Sequence, residues 1–218
     1  MNARSQVIQL TVEGRQIEEV VLGLFHTILL NRTTGKHNYT KDRNFTIGSL
    51  AVQDIDCDFL DFTYVKIVSK ELDAYLKKEV SQFRDMLRHS EGQQSGQIML
   101  EFYRKQRNRW LFQGDVFPWE VWSLKLDIIN LSTENERSEF KEKLSHQVMD
   151  KVFYILDVIN RHEYVPSTPP KEDEELVYDT SFTDIQPYLF RISQQTTGPS
   201  PTSVGTTMRK FLRGSLAL

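Results

Sequence analysis

The sequence predicts an α+β fold in which a mostly antiparallel sheet packs against three main helices. Two observations carry this. Ile98 to Tyr103 and Trp122 to Ile128 alternate apolar and polar side chains with the period of two expected of strands. Three longer stretches, 17–30, 70–89 and 134–161, place apolar residues at helical spacing.

Taken in order, residues 5–12 alternate Val7, Gln9 and Thr11 with Ile8, Leu10 and Val12 and read as the first strand. The first helix follows, with Ile17, Val20, Val21, Leu24, Phe25 and Ile28 in one stripe. Glu18 and Glu19 sit in its first turns, where they complement the helix dipole. His26 lies beside the stripe and reads as a partly buried core residue, since no second His or Cys stands at metal spacing. Residues 36–50 read as a small hairpin, with Tyr39 and Phe45 flanking its turn.

In the next stretch Asp54, Asp56 and Asp58 alternate with Ile55, Cys57 and Phe59. On a strand this puts carboxylates on one face and apolar groups on the other. A calcium loop would need Gly at its sixth position and Glu at its twelfth, which are Phe59 and Val65 here. The face is therefore read as solvated, with a basic partner surface as its functional alternative. Cys57 is expected to be inert and buried, pointing inward with Ile55 and Phe59, because Asp56 and Asp58 disfavour its thiolate.

Phe62 to Val68 is rich in strand-forming residues. Ser69 can cap the second helix, whose stripe is Leu72, Leu76, Val80, Phe83 and Leu87. Thr133 and Glu136 form a capping-box pattern at the start of the third and longest helix. Its apolar second half is expected to be buried on most faces. A Pro-rich acidic loop occupies 163–175, a late strand 187–194, and 196–218 reads as a flexible connector and C-terminal segment after a domain of 1–195.

The segment between the two aromatic-rich strands breaks the composition expected of a loop. Arg104 to Arg109 holds four basic residues among six, Trp110-Leu-Phe112 follows, and then Gln113-Gly-Asp115. Both flanks favour water, so Trp110 and Phe112 read as an exposed aromatic finger offered to a partner. Trp119 and Trp122 adjoin the return strand and read as core.

Composition narrows the function classes. The 218 residues carry a net charge of −3 and are 39% hydrophobic. With a pI near 6.0 there is no electrostatic case for nucleic acid or an anionic membrane. The single cysteine excludes an intrachain disulfide and suits a reducing compartment. The N-terminus lacks a signal-peptide core and no apolar run is long enough for a transmembrane segment, so a cytoplasmic protein is expected. No Gly-rich phosphate loop, His-Glu-x-x-His, Gly-x-Ser-x-Gly or Cys-x-x-Cys is present. No metal site, cofactor or catalytic residue is expected.

The order of elements, together with particular stretches, resembles a HORMA domain and, within that fold, the autophagy-related protein 101 family. The stretches are Val12-Glu-Gly-Arg-Gln16, Asp56-Cys-Asp-Phe59, Asp61-Phe-Thr-Tyr-Val65, Leu100-Glu-Phe-Tyr103, Arg109-Trp110, Pro118-Trp-Glu-Val-Trp122, Asn160-Arg-His-Glu-Tyr164 and Gln186-Pro-Tyr-Leu189. The resemblance implies a non-enzymatic adaptor of the autophagy-initiation kinase complex. It further implies pairing with the HORMA domain of autophagy-related protein thirteen, recruitment to the pre-autophagosomal site, and binding of downstream autophagy factors through a Trp-x-Phe finger. The finger falls on Trp110 and Phe112, with Leu111 where the family pattern has Pro. Asp54, Asp56 and Asp58 are a further candidate partner-facing surface. The competing class is a small cytosolic hydrolase or transferase with a dispersed active site. A deep polar cleft holding His26 or Cys57 beside a perturbed carboxylate would mark it.

Overall fold

A computed structural model describes residues 3–41, 44–88, 95–107, 115–161 and 164–196. The chain runs β1 (Arg4–Glu13), α1 (Ile17–Leu30), β2 (Thr33–Gly35), β3 (His37–Lys41), β4 (Asn44–Ile47), β5 (Val52–Asp56) and β6 (Thr63–Ile67). It continues with α2 (Lys70–Arg88), β7 (Ser95–Gln106), β8 (Asp115–Ile129), α3 (Glu134–Ile159), a 3-10 helix (Lys171–Leu176), β9 (Ile185–Pro187) and β10 (Phe190–Thr196). The fold is α+β, with three main helices and predominantly antiparallel strands.

The main sheet has the order β1-β8-β7-β10. Trp122 opposes Leu100 and Leu100 opposes Ile192, both in antiparallel register, while β1 lies parallel to β8 with Ile8 opposite Leu124. Parallel neighbours require a crossover, and here it takes in α1, the peripheral hairpins, α2 and β7. The inward row is the one the alternation predicted: Ile98, Leu100, Phe102, Trp122 and Leu124 have no exposed surface. Pro118 and Trp119 belong to β8, which starts ahead of the alternation read from Trp122. Proline is tolerated there because Pro118 opposes Tyr103 across a register shift between Phe102 and Tyr103.

Helix α1 is more enclosed than a one-striped helix would be. It packs against α2, α3 and β6 as well as the core, so Gly23, His26 and Leu29 are buried along with the stripe. His26 stacks on Tyr64 with ring centroids 5.6 Å apart, and burial drives its pKa down to about 4. Helix α2 begins at a Ser69 cap, whose Oγ accepts the Leu72 amide at 3.3 Å and donates to Asp184 at 2.9 Å. Helix α3 opens on the full capping box of Thr133 and Glu136.

Three two-stranded ribbons, β2-β9, β3-β4 and β5-β6, surround the sheet. Gly35 is required where β2 passes the chain after β4: a Cβ there would lie 1.9 Å from the Gly48 carbonyl oxygen. The late strand read as 187–194 divides in two. β9 pairs with β2, β10 pairs with β7, and Tyr188 between them bridges to Tyr178.

One buried ionic cluster ties these parts together. Glu120, 2% exposed on β8, accepts both Nε and Nη2 of Arg32 at 3.0 and 2.7 Å, Arg4 at 2.8 Å and the Trp122 indole N–H at 2.8 Å. Arg32, itself 4% exposed, lies over the Trp119 ring. Removing the carboxylate leaves a desolvated guanidinium, a loss of roughly 3–5 kcal/mol for a buried pair. Glu120→Gln is expected to lower unfolding free energy by about that amount in urea titration. Asp157→Asn, at the exposed pair with Arg161, should change it by less than about 1 kcal/mol.

A second prediction follows from His26. Its folded pKa lies below its ordinary value of 6.5, so its contribution is complete above that pH and is lost as pH falls toward 4. Between pH 7.5 and 4.5 the parent should lose about 2–3 kcal/mol more than His26→Phe, read from paired denaturant curves.

Candidate interaction surfaces

Beyond Phe102, where β10 stops pairing, β7 and β8 leave the sheet as a two-stranded stalk. Arg104 opposes Phe117, Lys105 opposes Val116 and Gln106 opposes Asp115. Val116 and Phe117 are both more than two-fifths exposed, and the Arg104 guanidinium stands 6.0 Å over the Phe117 ring. Arg107, just past the last described pair of the stalk, anchors it on the 3-10 helix through the Glu172 carbonyl and a 3.3 Å pair with Asp173. Trp110 and Phe112 lie outside the described residues, between the paired ends Gln106 and Asp115. The stalk's own apolar residues had no separate signal in the sequence, because Val116 and Phe117 read as ordinary strand formers.

Asp54, Asp56 and Asp58 are all exposed. Asp54 and Asp56 share a face of the β5-β6 ribbon, and Asp56 accepts the Thr63 hydroxyl at 2.6 Å. Asp58 stands past the strand end, in a loop held by Glu19, whose carboxylate accepts the amides of Asp58 and Phe59. The strict alternation expected through Phe59 is therefore broken. Cys57 is half-buried rather than buried, Ile55 is half-buried, and Phe59 is 41% exposed instead of inward. The cause is that β5 ends at Asp56 and the chain turns, so side chains beyond it no longer obey the period of two.

The largest departure is on α3. Its second half was expected to be buried on most faces, but its fully buried apolar row is Leu144, Val148, Ile155 and Val158, with Phe140, Val152 and Ile159 partly buried beside it. Met149 is 42% exposed and Phe153 62%, one turn apart on another face, with Tyr154 at its margin. Tyr154 donates to Gln6 of β1, next to Val7, which is 55% exposed. The helix is long enough to carry two apolar rows, and the row of Met149 and Phe153 is the more exposed of the two. A second i, i+4 pair in the sequence, Met149 with Phe153, was the available sign.

The groups that an enzymatic reading would use do not converge. Burial, with Glu19, Asp58 and Asp56 nearby, pushes the Cys57 thiol up to about 12, far from a neutral-pH nucleophile. His26 is closed off under Tyr64. A cavity of about 150 Å³ between α3 and the loop after β5 is lined by Asp61, Phe62, Glu142, Ser145, His146 and Met149, with neither Cys57 nor His26 in it. Among the described residues no cluster of His, Cys, Asp or Glu is arranged to hold a metal.

The profile of the autophagy-related protein 101 family matches residues 9–172, from β1 into the 3-10 helix. The chain belongs to the autophagy-related protein 101 family. It is 49% identical to the Xenopus tropicalis autophagy-related protein 101 and 48% identical to that of Homo sapiens, each over the full length of both chains. The Arabidopsis thaliana member is 23% identical over 82% of this chain and 85% of its own. Membership of the autophagy-related protein 101 family gives the chain a role in autophagy. The family match takes in the stalk, the acidic ribbon and all of α3. Among the described residues no helix is long and apolar enough to cross a membrane.

The two faces of α3 should separate in mutagenesis. Phe153→Ser with Met149→Ser is expected to leave stability within about 1 kcal/mol, as for exposed positions. Ile155→Ala on the buried row should cost about 2–5 kcal/mol. Urea unfolding followed by tryptophan fluorescence reads both.

Proposed function

We propose that this chain is a non-enzymatic adaptor of the autophagy-initiation kinase complex, with a HORMA-type domain over residues 1–195 and a connector over 196–218. It pairs with and stabilises the HORMA domain of autophagy-related protein thirteen and recruits downstream autophagy factors through Trp110 and Phe112. It acts in the cytoplasm and is recruited to the pre-autophagosomal site.

The observation that carries this reading is the β7-β8 stalk. A hairpin that leaves its sheet, keeps exposed Val116 and Phe117, and is braced by Arg107 against the 3-10 helix suits the presentation of an aromatic tip. Pairing draws support from α3. An exposed Met149, Phe153 and Val7 surface costs solubility unless a partner covers it. The acidic row of Asp54 and Asp56 offers a second, electrostatic contact whose value lies in orientation and association rate.

The roles separate experimentally. Trp110→Ala with Phe112→Ala should melt within a few degrees of the parent, retain the HORMA partner in light scattering, and fail to recruit later autophagy factors in cells. Each lost anchor is worth about 2 kcal/mol or more of affinity. Phe153→Asp should do the reverse, weakening the HORMA pair while leaving the finger's partners bound. Loss of the HORMA partner in the finger variant would overturn the assignment of the finger.

A further inference from the structure

The chain from Tyr164 to Pro170, Tyr-Val-Pro-Ser-Thr-Pro-Pro, crosses the protein surface without regular secondary structure. Its conformation is nonetheless narrowly defined. Three prolines, at 166, 169 and 170, fix φ near −65°, and the residues before them are driven into extended geometry. Pro170 has φ −57° and ψ 158°, in the polyproline II region. A polyproline II chain has three residues per turn and no internal hydrogen bonds, so carbonyls three apart emerge on the same edge and need outside donors.

The protein supplies those donors at that spacing. The Tyr188 hydroxyl donates to the Pro166 carbonyl at 3.0 Å, and the Tyr39 hydroxyl donates to the Pro169 carbonyl at 3.0 Å. Between them the Tyr178 hydroxyl pairs with the Thr168 hydroxyl at 3.1 Å. The three tyrosines come from β3, from the turn after the 3-10 helix, and from the link between β9 and β10. Their rings join one aromatic wall. Tyr188 stacks on Tyr178 at 4.7 Å, Tyr178 meets His37 edge-on at 4.8 Å, and Tyr39 flanks His37 at 6.1 Å. Pro166 is buried, and its carbonyl is held by the Tyr188 hydroxyl of this wall. Flat rings for proline and hydroxyl donors for unpaired carbonyls are the means by which proline-rich ligands are recognised.

We propose that the wall of Tyr39, Tyr178 and Tyr188 is a binding groove for a proline-rich peptide in the polyproline II conformation, occupied here in cis by the chain's own Pro166-Ser-Thr-Pro169. A partner segment with two prolines three residues apart is the ligand it fits. The cis segment leads directly into the 3-10 helix that holds Arg107, so exchange of ligands would also release the stalk from that helix.

The test uses the full chain and a fluorescent peptide with the sequence of residues 164–171. In the intact protein the tether holds the cis segment at an effective concentration on the order of millimolar, which a free peptide must overcome. The peptide should therefore bind a Pro166→Ala, Pro169→Ala, Pro170→Ala variant at least about tenfold tighter than the intact chain. Adding Tyr39→Phe to that variant, or replacing the peptide's prolines by alanine, should weaken binding about fivefold or more. Equal affinity of the proline and alanine peptides for the folded triple variant would overturn the proposal. Should the triple variant fail to melt cooperatively, Tyr39→Phe in the intact chain decides by amide hydrogen exchange. Faster exchange, about fivefold, at Asp173, Val177 and Tyr178, whose amides donate to the Pro170 and Glu174 carbonyls, with α1 unchanged supports the groove; unchanged exchange at those amides rejects it.

Discussion

The Glu120 carboxylate is the point at which the separate parts of this fold are made to agree. It sits in β8, yet its partners come from the start of β1, from the chain just after α1, and from Trp122 on its own strand. A buried carboxylate without partners would cost several kcal/mol. Its bidentate bond to Arg32 and the further bond to Arg4 replace the lost water. Those bonds tie the start of β1 and the chain after α1 directly to β8. Arg4 also donates to the Tyr164 carbonyl, so the same cluster fixes the beginning of the proline-rich segment.

From that anchor the aromatic side chains continue the order outward. Arg32 covers Trp119, Trp119 meets Tyr188 edge-on at 5.4 Å, and Tyr188 begins the wall that ends at Tyr39 and Phe45. Aromatic contacts of this kind add about 0.5–1.5 kcal/mol each beyond area burial. The phenolic groups at the wall are kept in their neutral form. Burial raises the Tyr39 and Tyr188 pKa values, with the Tyr178 hydroxyl adding to the effect at Tyr188. Neutral hydroxyls remain donors, which is what the proline carbonyls require.

The surfaces least used for folding are those that suit association. The outer row of α3 and the stalk of β7 and β8 both display large apolar side chains, whereas the inner row of α3 and the sheet portions of the two strands are buried. Rigid elements hold these side chains in place, so little conformational entropy is lost when a partner arrives. The acidic ribbon differs, being short, two-stranded and charged, and charge on an edge strand also discourages indiscriminate pairing.

What the sequence determined by itself were the elements and their inward faces. The stripes of α1 and α2, the Ser69 and Thr133 caps, and the inward row from Ile98 to Leu126 are local properties, set by periodicity and by side-chain bonds spanning three or four residues. The resemblance to a known family was legible for the same reason, since it rests on contiguous stretches such as Pro118 to Trp122. Tertiary structure alone decided the rest. Periodicity places an apolar residue on a face but carries no record of what covers that face, so Phe153 and Ile155 look alike in sequence and differ fully in exposure. The turn after Asp56 cut short an alternation that would have put Phe59 inside. Glu120, Arg32 and Arg4 are separated by up to 116 positions, and Tyr39 lies more than a hundred positions from Tyr178 and Tyr188, so neither cluster has a local signature. Both exist because the parallel β1-β8 pairing and the return of the chain through β9 bring distant segments into contact.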